Sequence, residues 1–147
     1  MQLLMGLGIR LLVPRHRIGI ALVALNEAGQ VFMLRHVFHP YAPWGLPGGW
    51  MGRGESPEQC ILREVWEETG LTAELGPVVH AVYDDRPPHL VLAYSGRLLP
   101  GSITLSGEIL ESAWFAPDAL PEPLYDFTRD AIRKAVVVPW PAVPGGD

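Results

Sequence analysis

Four of the five glutamates between Gly49 and Leu71 stand at spacings that could do chemistry. The stretch reads GWMGRGESPEQCILREVWEETGL, and the residues are Glu55, Glu64, Glu67 and Glu68. On a helix, Glu64, Glu67 and Glu68 fall within about one third of the circumference. Like charges three and four residues apart repel by about 0.2–0.5 kcal/mol per pair. Such a cluster gains no stability unless something positive sits against it. The simplest counter-charge is a hard divalent cation held by carboxylate oxygens and shared with the phosphates of a substrate.

The elements that must position these groups are legible. Ser56 is a good N-cap, and Gln59 completes a capping box. Pro57 falls at the first helical position, where its missing N–H costs nothing, and Glu58 suits the positive end of the dipole. Gly70 is the expected left-handed C′ residue. These signals predict a helix from Pro57 to Thr69, with Ile61, Leu62, Val65 and Trp66 on its apolar side. Arg63 can pair with Glu67 or reach back to Glu55. Before the helix, Gly45-Leu46-Pro47-Gly48-Gly49, Gly52 and Gly54 form a loop able to approach a ligand closely. A backbone carbonyl near Gly48 could add another hard oxygen to a metal.

This stretch resembles the Nudix box: glycine, five residues, glutamate, seven residues, Arg-Glu, an aliphatic, any residue, Glu-Glu, any residue, glycine, an aliphatic. Gly49, Glu55, Arg63, Glu64, Val65, Glu67, Glu68, Gly70 and Leu71 fill its nine positions without a departure. The resemblance implies an α/β/α sandwich with a mixed central β-sheet. It also implies hydrolysis of a diphosphate linkage in a nucleoside diphosphate derivative, such as a nucleotide sugar or a nucleoside triphosphate. Glu64, Glu67 and Glu68 are then the metal ligands, with Gly48 as a carbonyl donor. The ion is magnesium, for which manganese can substitute. Arg63 and Glu55 would hold the glutamates, while Gly49 and Gly70 shape the backbone. Either Glu64 or Glu108, before Trp114-Phe115, takes the proton from water. A rival reading is a Nudix-fold module that binds a nucleotide without turnover, and a complete set of carboxylates argues against it.

Substrate contacts lie outside the box. Trp44, Tyr41 and Phe38 could stack on a base, although such aromatics are more often core. Arg35, His36 and His39 could touch phosphates or ribose. Pro87 stands sixteen residues after Leu71, beside Arg86. ADP-ribose pyrophosphatases are similar in having a proline near that position, but Pro87-Pro88 also makes an ordinary turn.

Bulk properties fit a small enzyme of one domain over residues 1–147. A chain of that length buries close to about 70% of its unfolded surface. One cysteine excludes an internal disulfide and fits the cytoplasm. Cys60, inside the helix, reads as a packing residue. The net charge of −5 argues against general nucleic-acid binding. Met1 to Val13 is apolar but shorter than the ~20 residues of a membrane span, and it lacks the basic start of a signal peptide. Residues 1–14 are expected as an extension packed on the body. The tail from Pro139 to Asp147, with three prolines and two glycines, is expected to be an extended or frayed, flexible segment. The resemblance allows a homodimer.

The remaining chain reads mainly as strands. Ile18 to Leu25 is a continuous aliphatic run suited to a buried strand. A turn over Asn26 to Gln30 returns it as Val31 to His36. Gly45 to Trp50 leads into the box. Thr72 to Tyr83 and His89 to Leu98 follow, then a short strand from Glu111 to Phe115. Leu124 to Val136 has the apolar spacing of an amphipathic helix.

Overall fold

The computed structural model describes residues 15–85 and 87–139. The expected N-terminal extension, Arg86 and the tail from residue 140 onward lie outside the described residues.

Strand β1 (Arg17–Ala24) runs parallel to β6 (Pro88–Leu98) at the centre of a four-stranded sheet. Strand β4 (Gly48–Trp50) pairs antiparallel with the free side of β1, and β5 (Ala73–Asp85) antiparallel with β6. The order is therefore β4-β1-β6-β5. A smaller sheet has the order β3-β2-β7, from β3 (Trp44–Gly45), β2 (Val31–His36) and β7 (Ile109–Phe115). Helix α1 (Pro57–Thr69) and helix α2 (Asp126–Ala135) complete the architecture.

The apolar runs explain the layering. Side chains alternate across a strand. Ile20, Leu22 and Ala24 of β1 and Phe32 and Leu34 of β2 join Ile61 and Val65 of α1 in one core. Ala21 and Val23 of β1 and Val31 and Met33 of β2 join Ala131, Ile132 and Ala135 of α2 in a second. Strands buried on both faces need continuous rather than alternating hydrophobicity. That is why the run from Ile18 to Leu25 carries no polar alternation. The result is an α/β/α sandwich in which the mixed four-stranded sheet and its three-stranded neighbour lie between two helices.

Helix α1 has the predicted bounds. The Ser56 side chain accepts from Gln59 N, and the Gln59 side chain accepts from Ser56 N, so the capping box is complete. Its apolar side differs from expectation. Leu62 and Trp66 are exposed, at 37% and 59%, whereas Cys60 is fully buried with Ile61 and Val65. Leu62 and Trp66 share an i, i+4 stripe one step round from the stripe that meets the sheet.

Other departures are small and have physical reasons. The lead-in from Gly45 to Trp50 divides between sheets, with β3 on β2 and β4 on β1. Between them, Leu22 N donates to the Pro47 carbonyl at 2.9 Å. The last strand begins at Ile109, and β5 continues to Asp85 through two register shifts, at Leu75/Val78 and Val78/His80.

Gly70 ends α1 with φ 72°, and its N–H donates to the Trp66 carbonyl. An L side chain in that region costs about 1–2 kcal/mol. A Cβ there would meet Thr104 only at ordinary contact distance, 3.5 Å, so strain should dominate. Gly70→Ala is therefore expected to lower unfolding free energy by about 1–2 kcal/mol in urea titration. An unchanged midpoint would remove the capping role.

Candidate active site

Helix α1 presents its carboxylates to a cleft of about 1390 Å³ lined by Glu64, Glu67, Glu68 and Arg63. Gly48, Gly49 and Trp50 of β4 line it too. The β4 backbone passes close to the helix. Gly48 N donates to Glu68 Oε2 at 3.0 Å. A Cβ on Gly49 would collide with the Glu64 carboxyl group, so only glycine lets the strand and this carboxylate share the space. Gly49→Ala should displace Glu64. We expect a fall in kcat/KM of about 10²-fold, the size that follows a misplacement of about 1 Å. A loss below threefold would show that the collision relaxes elsewhere.

Arg63 organises the acidic face. Its Nε and Nη2 donate to the two oxygens of Glu55, at 3.1 and 2.8 Å. Nη1 donates to Glu64 Oε1 at 2.8 Å and to Glu67 Oε2 at 3.1 Å. Nη2 also reaches the Trp50 carbonyl at 3.2 Å. Glu55 in turn accepts from Gly52 N. The Arg63 hydrogen bonds, with the Gly52 N–H, hold the Glu55 carboxyl down to about 2. Paired with Glu55 and Glu64, the Arg63 guanidinium is held even more firmly protonated than usual.

Glu68 lies at the opposite extreme. Only 9% of it is exposed. Burial pushes its pKa up to about 8; the charges of Glu64, Glu108 and Glu67 add to the rise, and the Gly48 N–H works against it. A buried carboxylate facing three more acids is the environment that a divalent cation relieves. Its hard oxygens suit magnesium, calcium or manganese rather than soft metals. One oxygen each of Glu64 and Glu67 is engaged by Arg63; the other accepts from no described protein donor. Among the described residues, no three His, Cys, Asp or Glu side chains are already gathered as a closed ligand set. The donor chemistry fits the ion, and one nitrogen of Arg63 holds an oxygen of each of Glu64 and Glu67.

Glu108 joins this wall from the loop before β7. Thr104 N and Ser106 N donate to the carbonyls of Thr69 and Glu68, tying the loop to the end of α1. Val37 N donates to the Glu108 carbonyl at 2.9 Å. The Glu108 side chain lines the cleft and is exposed.

The other candidates scatter. Trp44 packs edge-on against Phe115, ring centroids 4.9 Å apart, in the α2-side core. Arg35 pairs with Glu111 across β2 and β7 at 3.7 Å. Tyr41 and Phe38 are largely exposed. Tyr41 reaches the cleft only through Tyr125, at 6.0 Å between centroids. His36 and His39 do line the cleft, with their rings 4.7 Å apart. Burial, then the neighbouring His39, lowers His36 to about 4. Pro87 is exposed in the β5–β6 turn, where its carbonyl meets His89 Nδ1 at 2.6 Å. Cys60 is a free, buried thiol pushed up to about 11, first by burial and next by Glu55.

Sequence reasoning missed the cleft floor. Strand register places Trp50, Gly19, Val91 and Val82 in one row across β4, β1, β6 and β5. Gly19 leaves a shallow hollow, since a Cβ there would sit 3.6 Å from both Trp50 and Val91. The row is bracketed by Trp50 against His89, 5.3 Å and edge-on, and by His80 stacked on Phe127, also 5.3 Å. No motif marks these residues; only the pairing of distant strands assembles them.

A profile of the NUDIX domain matches residues 15–139. The chain belongs to the Nudix family. It is 29% identical over 109 residues to a MutT-like protein of Streptomyces ambofaciens, covering 74% of this chain and 70% of that protein. It is 36% identical over 76 residues to an RNA pyrophosphohydrolase of Cereibacter sphaeroides, covering 49% of this chain and 47% of that enzyme. The match thus spans about half the length of that relative. Among solved structures, a MutT NUDIX hydrolase from Burkholderia pseudomallei superimposes with a TM-score of 0.72 at 26% identity, over 82% of this chain and 98% of that one. The NUDIX domain of Shewanella oneidensis NrtR, complexed with ADP ribose, shares the fold. Its TM-score is 0.66 at 22% identity, over 83% and 87% of the two chains. The chain is accordingly an enzyme of the Nudix pyrophosphohydrolase type. No helix among the described residues is long and apolar enough to cross a membrane.

Proposed function

We propose that this Nudix enzyme is a magnesium-dependent hydrolase of the diphosphate linkage in a nucleoside diphosphate derivative, acting in the cytoplasm. One observation carries the reading. A single cleft joins four carboxylates on one wall to a strand floor that carries the row Trp50, Gly19, Val91 and Val82. The first suits the phosphates with their cation, and the second suits a planar base.

Glu64, Glu67 and Glu68 would hold magnesium through carboxylate oxygens, with the Gly48 carbonyl as a further donor. When bound, the ion offsets phosphate charge and makes water acidic enough to attack at neutral pH. Arg63 and Glu55 keep Glu64 and Glu67 in place during the reaction. Gly49 makes room for Glu64, and Gly70 ends the helix that carries it. Of the two candidate bases, we favour Glu108. Its carboxylate is exposed on the cleft wall and carries no described side-chain bond, whereas Glu64 is already engaged by Arg63. Water attacks one phosphorus, its proton passes to Glu108, and the other phosphate leaves with the bridging oxygen.

Two variants separate the bases. Glu108→Gln should lower kcat by about 10²–10⁴-fold, the range for a lost general base, and leave magnesium affinity in place. Glu64→Gln should raise the magnesium requirement. The reverse pattern would assign the proton to Glu64.

The broad test is phosphate or nucleotide release with magnesium from a panel. It should hold nucleoside triphosphates, nucleotide sugars including ADP-ribose, dinucleoside polyphosphates and an RNA with a 5′-triphosphate. Turnover of the small nucleotides is expected. Hydrolysis confined to the RNA would replace the substrate class, and tight binding without any turnover would favour a binding module.

A further inference from the structure

One large apolar side chain in the cleft is not used by the chemistry above. Trp50 lines the cleft and is 50% exposed. Alternation along β4 explains where it points. A Cβ on Gly49 would run into the Glu64 carboxyl group, so that position faces α1. Trp50, the next residue, faces the other side of the sheet, in one row with Gly19, Val91 and Val82. The benzene edge of its indole comes over Gly19, where a Cβ would sit 3.6 Å from Cζ3. Gly19 itself is buried, so the surface this end of the row offers to a ligand is the indole.

The residue is held in place. The Trp50 carbonyl accepts from Arg63 Nη2 at 3.2 Å, and Met51 N donates to the Ile18 carbonyl at 2.9 Å. The same guanidinium grips Glu64 and Glu67, so the strand and the acidic face are fixed to each other through one side chain. His89 meets the indole edge-on at 5.3 Å and 66°, and among the described residues no ring is stacked on it. Gly19 is a second, independent observation. It interrupts the aliphatic run of β1, yet its φ is not positive and a Cβ would meet only ordinary contacts. The backbone therefore does not require glycine there, and glycine inside a strand weakens it. Its missing side chain gives the indole room to lie low across β1. Covering a strand glycine with an aromatic is also a way to stabilise a sheet. That role alone would bury the ring, and half of Trp50 is open.

We propose that Trp50 is the platform on which the nucleobase of the substrate stacks, and that Gly19 is the positioning residue that lets the indole lie against the sheet. This rests on the nucleotide reading above and deepens it. The seat reads the face of a flat ring rather than its hydrogen-bonding edge, because Gly19, Val91 and Val82 offer no side-chain donor or acceptor. Stacking of this kind tolerates different bases, since every base has a π-face. Purine and pyrimidine nucleotides should therefore both depend on Trp50.

Binding tests this without requiring turnover. Dissociation constants are measured calorimetrically with calcium for ADP, UDP and inorganic pyrophosphate. Wild type should bind both nucleotides about fivefold or more tightly than pyrophosphate. Trp50→Ala should weaken both by about 5- to 150-fold relative to pyrophosphate, the range for a lost stack of base on aromatic ring. Trp50→Phe should recover most of that loss, whereas Trp50→Leu, apolar but not flat, should not. Gly19→Val should lift the indole and weaken both nucleotides while leaving pyrophosphate unchanged. Equal weakening of nucleotides and pyrophosphate in Trp50→Ala, or none, would overturn the assignment. Recovery by leucine as full as by phenylalanine would reduce the seat to apolar contact and defeat it as well.

Tryptophan emission gives a reading from wild type itself. Saturating ADP should quench part of it, and Trp50→Phe, still binding ADP by calorimetry, should show no such quench. No quench in wild type, or an undiminished one in Trp50→Phe, would place the base elsewhere and defeat the proposal. Nucleotides bound no more tightly than pyrophosphate would overturn the platform and the nucleotide reading together. Nucleotide binding that depends on Trp50 but leads to no hydrolysis with magnesium would instead sink the catalytic reading and leave this one standing.

Discussion

Glu68→Gln is expected to lower turnover while making the metal-free protein more stable at alkaline pH. The fall in kcat should be on the order of 10²–10³-fold, the size seen when one preorganised electrostatic group is lost at a reacting centre. The stability gain follows from linkage. Burial raises the pKa of Glu68 to about 8 in the fold, from an ordinary 4.5. Between those values the native state keeps a proton that the unfolded chain has released. Stability therefore falls as pH rises through this window, and the full penalty is present above about pH 8. Glutamine pays no such penalty and can still accept from Gly48 N. His36 and Glu55 titrate in the opposite sense at lower pH, but both are common to the two proteins and cancel in the difference. That difference should be near zero below about pH 4.5 and grow to a few kcal/mol by about pH 9. Denaturant titrations in chelator would measure it. Magnesium should then stabilise wild type more than the variant, since it binds only the fold. Equal stabilities at both ends of the range would mean that Glu68 is solvated, and near-normal turnover would remove it from the metal site.

The acidic wall was legible in the sequence because every signal that builds it is local. Ser56, Gln59, Pro57 and Gly70 define a helix by capping chemistry, and three glutamates at helical spacing define its face. Arg63 reaching Glu55 and Glu67 could also be read from one turn of helix and the loop before it. What sequence could not show was that Glu68 is buried whereas Leu62 and Trp66 are not. That depends on which stripe of α1 meets β1 and β4. The cleft floor was illegible for a stronger reason. Gly19, Trp50, Val82 and Val91 are ordinary strand residues, brought into one row by a parallel pairing of β1 with β6 between residues far apart in the chain. The aromatics that looked suited to a base illustrate the same point. Trp44 is drawn into the core by Phe115, and Arg35 to the outer sheet by Glu111. Residue type alone could not tell these from Trp50 and Phe127, which do line the cleft.

Arg63→Lys should be nearly as damaging as loss of a carboxylate, although it conserves charge. The guanidinium uses all three of its nitrogens: two on Glu55, one on both Glu64 and Glu67. A lysine ammonium is a point charge and cannot span these partners from one position. If it follows Glu55, then Glu64 and Glu67 are left to repel each other. If it follows them, Glu55 loses its bidentate clamp and the loop at Gly52 loses its anchor. Either way the carboxylates move. Outer groups of this kind typically govern metal affinity by about 10–100-fold. Misplacing the reacting atoms costs a further factor of about 10². We therefore expect a higher magnesium requirement together with a fall in kcat that saturating magnesium does not restore. Glu55→Gln should show a milder version of the same pattern, since glutamine still accepts from Arg63 and Gly52. Full rescue of Arg63→Lys by excess magnesium would limit Arg63 to tuning affinity. A variant as active as wild type at low magnesium would mean that the fork geometry is incidental and that charge alone holds the acidic face.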